Sequence, residues 1–231
     1  MIPFLDFDDP FPPVELALRE PNGLLAAGGD LSPERLVEAY ARGIFPWFGE
    51  DDPLLWWSPD PRMVLYGSEL RVSRSLRRTI RGRRFRVTLD RAFGDVMAGC
   101  AVPRPGQDGT WITAEMTDAY STLAALGYAH SVEAWLGDEL VGGLYGVGIG
   151  RMFFGESMFA RESDASKVAF AALVRQLERW AMPMVDCQMS TAHLASLGAR
   201  EIGRPEFLAQ VNRLVRRPPM PSPWVLDADL E

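Results

Sequence analysis

The stretch from Val141 to Phe170, VGGLYGVGIGRMFFGESMFARESDASKVAF, constrains the fold more than any other part of the chain. It reads as strand, tight glycine turn at 148–150, second strand, and a helix capped by Ser163 or Asp164. Gly142, Gly143, Gly146, Gly148 and Gly150 strip side chains from the first strand and the turn. Another backbone or a ligand can then approach closely, or the glycines mark bulges. Just upstream, AHSVEAW (129–135) and ELVGGLYGV (139–147) form a hairpin across Gly137-Asp138, so the whole is a three-strand meander. The second strand of the stretch carries one carboxylate, Glu156, among Met152, Phe153, Phe154, Met158 and Phe159. A carboxylate amid that much apolar surface is either paired or serves a ligand.

A later strand, MVDCQM (184–189), places Val185, Cys187 and Met189 on one side and Asp186 with Gln188 on the other. A carboxylate and an amide on one strand face can orient a nucleophile and take its proton, or can close a buried polar network. Spacing alone leaves both open. Cys187 reads as a small core residue. His130 and His193 offer no metal-ligand spacing, and two cysteines exclude a disulfide framework and a four-cysteine zinc site. The glycine run 146–150 lacks the lysine and the following helix of a phosphate loop.

The order of elements is a small N-terminal piece, then strand, helix, meander, helix and strand. It predicts an α/β (α+β) fold with a mixed, largely antiparallel sheet. That order resembles acyltransferases of the GNAT type at the level of fold. The acyl-CoA pyrophosphate loop of those enzymes is missing from the sequence, which counts against acetyl transfer. The segment 59–61 is the expected boundary between a domain of residues 1–61 and a catalytic domain of residues 62–231.

Charge is distributed unevenly. Net charge is −7, but the eight arginines from Arg71 to Arg86 have no acid among them, giving +8 there and −15 elsewhere. Val72, Leu76 and Ile80 repeat every four residues, so the segment up to Gly82 is a helix with a separate stripe of Arg71, Arg74, Arg78 and Arg81. Without acids in the stripe, helical i,i+4 pairing is unavailable and the arginines repel one another until an anion arrives. An undiluted basic island on an acidic protein points to a polyanion.

Toward the N-terminus, Pro21 to Gly29 reads as turn-rich, and Ser32 caps a helix with Pro33 at its first position and Gly43 at its end. There follow IFPWF (44–48) and LLWWSPDPR (54–62), where prolines block regular pairing. This aromatic run is either a packing surface between two domains or a stacking platform for a flat ring such as a nucleobase. Trp111, beside the loop 103–109, is a second stacking candidate. The proline-rich tail from Arg216 to Glu231 reads as irregular. No apolar run approaches the roughly 18 residues of a membrane span. The acidic, proline-broken N-terminus is unlike a signal or transit peptide, so the expected compartment is a reducing cytoplasm.

A resemblance then joins these pieces. EPNGLLAAGGDLS (20–32), GIFPWF (43–48), WWSPDPR (56–62), GTWI (109–112), LGYAHSVE (126–133), GGLYGV (142–147), FGESMFAR (154–161), ASK (165–167), DCQ (186–188) and HLASLGA (193–199) resemble the bacterial leucyl/phenylalanyl-tRNA–protein transferases. The matches are in order and span about residues 20–200. The resemblance implies transfer of Leu, Phe or Met from aminoacyl-tRNA to proteins bearing N-terminal Arg or Lys, which marks them for degradation. It also implies a GNAT-like second domain, no cofactor and no membrane partner; a monomer is expected.

By the same resemblance, Trp47 and Trp111 hold the 3′-terminal adenosine of the tRNA. Arg71, Arg74, Arg78, Arg81, Arg83 and Arg84 take its phosphates. An aminoacyl pocket draws on Leu144, Phe153, Met158, Phe170, Leu173 and Val185. Asp186 and Gln188 position the attacking amine and relay its proton, with Glu156 holding the N-terminal region of the acceptor. One geometric condition attaches to the pocket. Phe153 and Met158 fall on opposite faces of an unbroken strand, so the strand must bulge, and Gly155 is the natural place.

Overall fold

The structure, a computed structural model, describes residues 2–103 and 110–230. The expected loop over 103–109 falls outside them except for Pro103. Two sheets organise the chain. The smaller is built from β1 (Phe4–Leu5), β2 (Leu24–Gly28), β3 (Phe45–Pro46) and β4 (Leu55–Trp57), in the order β1-β2-β4-β3, with α1 (Pro33–Ala41) between β2 and β3. The segment read as turn-rich at 21–29 is therefore partly a strand. The prolines around 46–61 also permit pairing, because β3 and β4 are so short: Phe45 stands opposite Trp57 and Pro46 opposite Trp56. Phe45, Phe48 and Trp56 are core residues, and within that run the exposed large aromatic is Trp47, at 38%.

The chain leaves this sheet at Trp57 and enters the other at β5 (Arg62–Tyr66). There follow α2 (Arg74–Arg81), β6 (Arg86–Leu89), α3 (Phe93–Ala101), α4 (Ala114–Ala125), β7 (Ala129–Leu136), β8 (Glu139–Ile149), β9 (Met152–Ala160) and α5 (Ala165–Arg179). Last come β10 (Met184–Gln188), α6 (Ala192–Ser196), β11 (Arg200–Ile202) and α7 (Arg204–Val215). The seven strands stand in the order β11-β5-β10-β9-β8-β7-β6. Every neighbouring pair is antiparallel except β9 with β10. The sheet is thus the mixed, largely antiparallel one expected, and its meander is present, with β8 running on through Ile149.

Local chemistry explains the helix starts. The hydroxyls of Ser32, Ser73 and Thr113 accept from the backbone N–H three residues on, at 3.3, 3.1 and 3.2 Å, satisfying donors that the first turn leaves open. At α5 the residue before the helix is Asp164, as expected, but with φ of 70° and no side-chain cap. Its carboxylate instead accepts from Thr79 on α2 at 3.1 Å. The helix α3 was not legible in the sequence.

Apolar clusters cover both faces of the large sheet. One joins the small sheet, α1, α3, α4 and α7 through Leu36, Tyr40, Trp56, Val96, Tyr120, Tyr145, Phe154 and Phe207. The other lies under α5 and α2 and includes Leu76, Leu144, Phe153, Phe170, Leu173 and Val185, with Val72 and Ile80 packed against it. The glycines of β8 serve this packing. A Cβ on Gly146 would stand 2.2 Å from the Phe154 carbonyl oxygen and 2.6 Å from the Phe153 ring. One on Gly148 would stand 2.8 Å from the Trp224 ring. The close approach is protein on protein. Trp224 belongs to the tail after α7, whose described residues form no helix or strand but are pinned: Trp224 stacks on His130 at 3.6 Å, and Arg179 pairs with Asp227 and Asp229.

Candidate functional site

The parallel pair β9–β10 is short. Only Val185 with Phe153 and Asp186 with Phe154 are in register, and beyond them the strands part. Both strands break their regularity at that point. On β9 the register slips by one residue: Gly146 of β8 faces Gly155, but Tyr145 faces Ser157, leaving Glu156 unpaired in the ladder. This is the expected bulge. It returns Met158 to the side of Phe153, and both pack against the cluster under α5. On β10 the register slips between Asp186 and Gln188, and Gln188 adopts φ of 60°. A left-handed conformation at a non-glycine costs on the order of 1 kcal/mol or more, and is kept where the surroundings enforce it.

A cleft of about 960 Å³ opens where the strands part. Its apolar side is formed by Leu144, Met158, Phe170 and Val185, with Cys187 and Leu194 at the edge. Phe153 and Leu173, also expected in the pocket, do not line it: both are fully buried in the packing behind it. Trp47, Trp111, Thr110 and Tyr145 also line the cleft, Trp111 and Tyr145 packing on the cluster at the other face of the sheet, and the exposed acids Glu50, Asp51 and Asp52 complete the lining. Trp47 is held by the Trp57 indole N–H, which donates to its carbonyl at 2.6 Å, and by an edge contact between the rings at 5.5 Å.

A polar network reaches the cleft at Glu156 and Gln188. Glu156 accepts from the Gln188 amide at 2.8 Å and shares hydrogen bonds with the Tyr40 hydroxyl at 2.7 Å and the Tyr120 hydroxyl at 3.2 Å. The two hydroxyls also bond to each other, so the three links of this ring use one proton from each hydroxyl and one from the carboxyl. Burial pushes the Glu156 carboxyl up to about 8; its three hydrogen bonds oppose that rise and the nearby Asp186 charge adds to it. Burial likewise drives the Tyr40 and Tyr120 hydroxyls well above the usual tyrosine range, so both are donors at neutral pH. Glu156 is therefore paired and also faces the cleft, so both readings of a lone carboxylate in an apolar strand apply.

Asp186 is fully buried. Its carboxylate takes both forks of Arg62, at 2.9 and 2.7 Å, and Oδ1 also accepts the backbone N–H of Gln188 at 2.8 Å. Arg62 in turn is wholly enclosed, donating to the Gly43 carbonyl at 3.2 Å between the rings of Phe45 and Phe207. Removing one member of such a buried pair costs about 3–5 kcal/mol, because the other charge is left uncompensated. Arg62, Tyr40 and Tyr120 are site residues that sequence reasoning missed. Two signals were available: Arg62 opens an otherwise apolar strand, and Tyr40 sits on the apolar face of α1.

The arginine island lies elsewhere on the surface. Arg71, Arg74, Arg77, Arg78, Arg81 and Arg83 are exposed and have no carboxylate partner among the described residues. Arg84 differs from the expectation, for it pairs with Glu162 at 2.6 Å. Among the described residues, no group of three or more His, Cys, Asp and Glu side chains could hold a metal ion. No described helix is long and apolar enough to cross a membrane.

Comparison with known proteins identifies the family. A model described as leucyl/phenylalanyl-tRNA protein transferase matches residues 64–212, and one described as its N-terminal domain matches residues 29–60. Proteins named leucyl/phenylalanyl-tRNA–protein transferase share high identity along nearly the whole chain. That of Nitrosospira multiformis is 60% identical over 98% of both chains. That of Laribacter hongkongensis is 59% identical over 97% of this chain and 96% of its own. That of Anaeromyxobacter sp. (strain Fw109-5) is 63% identical over 94% and 92%. Among solved structures, a functionally unknown conserved protein from Staphylococcus epidermidis ATCC 12228 aligns with TM-score 0.40 at 13% identity, over 78% of this chain and 68% of that one, too weakly to carry an argument. The cleft, its network and these relatives together make the chain an aminoacyltransferase that belongs to the leucyl/phenylalanyl-tRNA protein transferase family.

Proposed function

We propose that the cleft between β9 and β10 is where Leu, Phe or Met passes from aminoacyl-tRNA to the N-terminal Arg or Lys of an acceptor protein, marking it for degradation. The observation that carries this reading is that the hydrogen-bonded pair Glu156 and Gln188 lines one cleft together with an apolar set and with Trp47 and Trp111. The aminoacyl side chain enters the apolar side, against Leu144, Met158, Phe170 and Val185. The terminal adenosine lies along Trp47 and Trp111, where base–aromatic stacking contributes roughly 1–3 kcal/mol per base. Arg71, Arg74, Arg78, Arg81 and Arg83 meet the phosphates. The acceptor's cationic first residue sits at Glu156, in a cleft whose exposed acids Glu50, Asp51 and Asp52 attract a positive chain.

The ester is already activated, so the reaction asks chiefly for alignment, which can supply much of the acceleration. The attacking α-amine has a reference pKa near 7.7–8.0, leaving on the order of a tenth of it neutral at pH 7. The Gln188 side-chain oxygen, which has no hydrogen-bond partner among the described residues, accepts a hydrogen bond from that amine as it attacks the ester carbonyl. The ester C–O bond to the tRNA ribose breaks, and the proton lost by the amine passes to the departing ribose oxygen. The chain divides at residues 61 and 62, and it acts as a monomer in the cytoplasm without an added cofactor. Incubation with leucyl-tRNA carrying labelled leucine and an Arg-initiated peptide tests the whole reading: label should enter the peptide. An unlabelled peptide under conditions where the tRNA binds would leave a binding module in its place.

A further inference from the structure

We infer that Arg62 is a positioning residue for the transfer, and that Asp186 acts as the fixed anchor of the Gln188 backbone rather than as a base. The inference rests on the cleft being the transfer site. Four observations lead to it. Asp186 borders the cleft, but its side chain has no solvent-accessible surface, so its carboxylate is not open to an amine bound there. Both its oxygens are engaged by the Arg62 fork. The same Oδ1 that receives the Arg62 Nε–H receives the Gln188 N–H, at 2.8 Å. Gln188 is also the residue at which β10 leaves register and turns left-handed.

The order of events in the geometry is then plain. The Gly43 carbonyl and the rings of Phe45 and Phe207 hold Arg62 in place. Arg62 fixes the plane of the Asp186 carboxylate, since a guanidinium binding through two parallel N–H groups leaves it one orientation. The carboxylate pins the Gln188 N–H, and with it a backbone conformation that glutamine does not hold on its own. In that conformation the Gln188 side chain reaches Glu156. Because Gly43 and Phe45 belong to the N-terminal part of the chain, that part builds the catalytic strand end from behind, as well as presenting Trp47 in front.

The experiment compares three variants for leucine transfer from leucyl-tRNA to an Arg-initiated peptide, each checked for tRNA affinity and thermal unfolding. Asp186→Ala removes the anchor and should lower kcat by about 100-fold, the scale expected for an ångström of misplacement. The double variant Arg62→Met, Asp186→Asn removes the ion pair but keeps an acceptor oxygen for the Gln188 N–H. It should lose about tenfold against wild type, less than Asp186→Ala, because the Gln188 N–H keeps an acceptor and no uncompensated charge is left, while the fork that fixed that acceptor's plane is gone. Arg62→Lys keeps the charge but not the fork, and should lower kcat while peptide KM and tRNA affinity hold. A folded, tRNA-binding double variant as inactive as Asp186→Ala would overturn the inference, because the carboxylate itself would be required. So would a wild-type kcat in Arg62→Lys, which decides the matter alone where the double variant does not fold. Absence of transfer by the wild-type protein would instead refute the function proposed for the cleft.

Discussion

The centre of the cleft and the arginine helix are both charged, and they are built on opposite principles. At Arg62 and Asp186 two charges are shut away from water, and each is tolerable only because the other is there. On α2, Arg74, Arg78 and Arg81 stand in water with no partner among the described residues, and each is nearly independent of its neighbours. The first arrangement fixes geometry to fractions of an ångström and breaks if one member is changed. The second supplies a field that sums over many groups, falls with salt, and survives the loss of any one of them. A reaction needing only alignment of an activated ester with an amine calls for the first at the bond and the second along the tRNA.

Breaking one charge at each place should expose that difference. Arg62→Ala leaves a buried carboxylate uncompensated and should destabilise the protein by about 3–5 kcal/mol, read from urea unfolding. The quadruple replacement of Arg71, Arg74, Arg78 and Arg81 by alanine should leave unfolding within about 0.5 kcal/mol of wild type. It should nevertheless lower tRNA affinity by roughly 100- to 1000-fold and flatten log K against log[salt] by about one slope unit for each phosphate no longer neutralised. If the salt slope stayed the same, α2 would not face the tRNA.

The apolar wall can be probed through the substrate. With Leu144, Met158, Phe170 and Val185 around the side chain, valyl or isoleucyl esters on the same tRNA should react about 10- to 100-fold more slowly than leucyl, as measured by kcat/KM. Equal rates would mean the side chain lies elsewhere. Glu156 offers a pH test whose sign follows from its raised carboxyl. Between the ordinary carboxylate value and about 8 the unfolded chain has lost a proton that the folded protein keeps. Stability therefore falls as pH rises through that window and levels above it. Glu156→Gln should remove this slope and be more stable than wild type at pH 8 by on the order of 1–3 kcal/mol, the shift being discounted for the side chain's partial exposure. It should also remove the fall in acceptor KM as pH rises toward 8, because ionised Glu156 favours a cationic N-terminus. The smallest change belongs to Arg84→Ala. Its guanidinium is engaged with Glu162, and tRNA affinity should shift less than about threefold, against a larger loss for Arg83→Ala.

The same contrast explains what the sequence made legible. The arginine helix was readable because what marks it is local: the four-residue repeat of Val72, Leu76 and Ile80, and the Gly82 end. The meander was readable through its alternation, and the bulge at Gly155 followed from requiring Phe153 and Met158 on one side. The cleft centre was only half readable. Asp186, Gln188 and Glu156 stood out as polar residues in apolar strands, but their partners are remote: Arg62 lies 124 positions from Asp186 and Tyr40 lies 116 from Glu156. No periodicity carries that information. Arg62 follows Pro59 and Pro61, so its surroundings read as a linker, and its burial appears only once β5 is placed between β10 and β11. The small sheet was missed for a related reason. Strands of two to five residues flanked by Gly and Pro are set by their partners across the sheet, and local propensity in them points to turns.

The most direct measurement is the initial rate of labelled leucine transfer from leucyl-tRNA to an Arg-initiated peptide by Gln188→Ala, with tRNA affinity measured in parallel. If Gln188 at the parting of β9 and β10 handles the attacking amine, transfer falls by about 100-fold or more while tRNA affinity stays within about twofold of wild type. Transfer at the wild-type rate by this folded variant would contradict the account, and peptide-bond formation would have to take place outside the cleft.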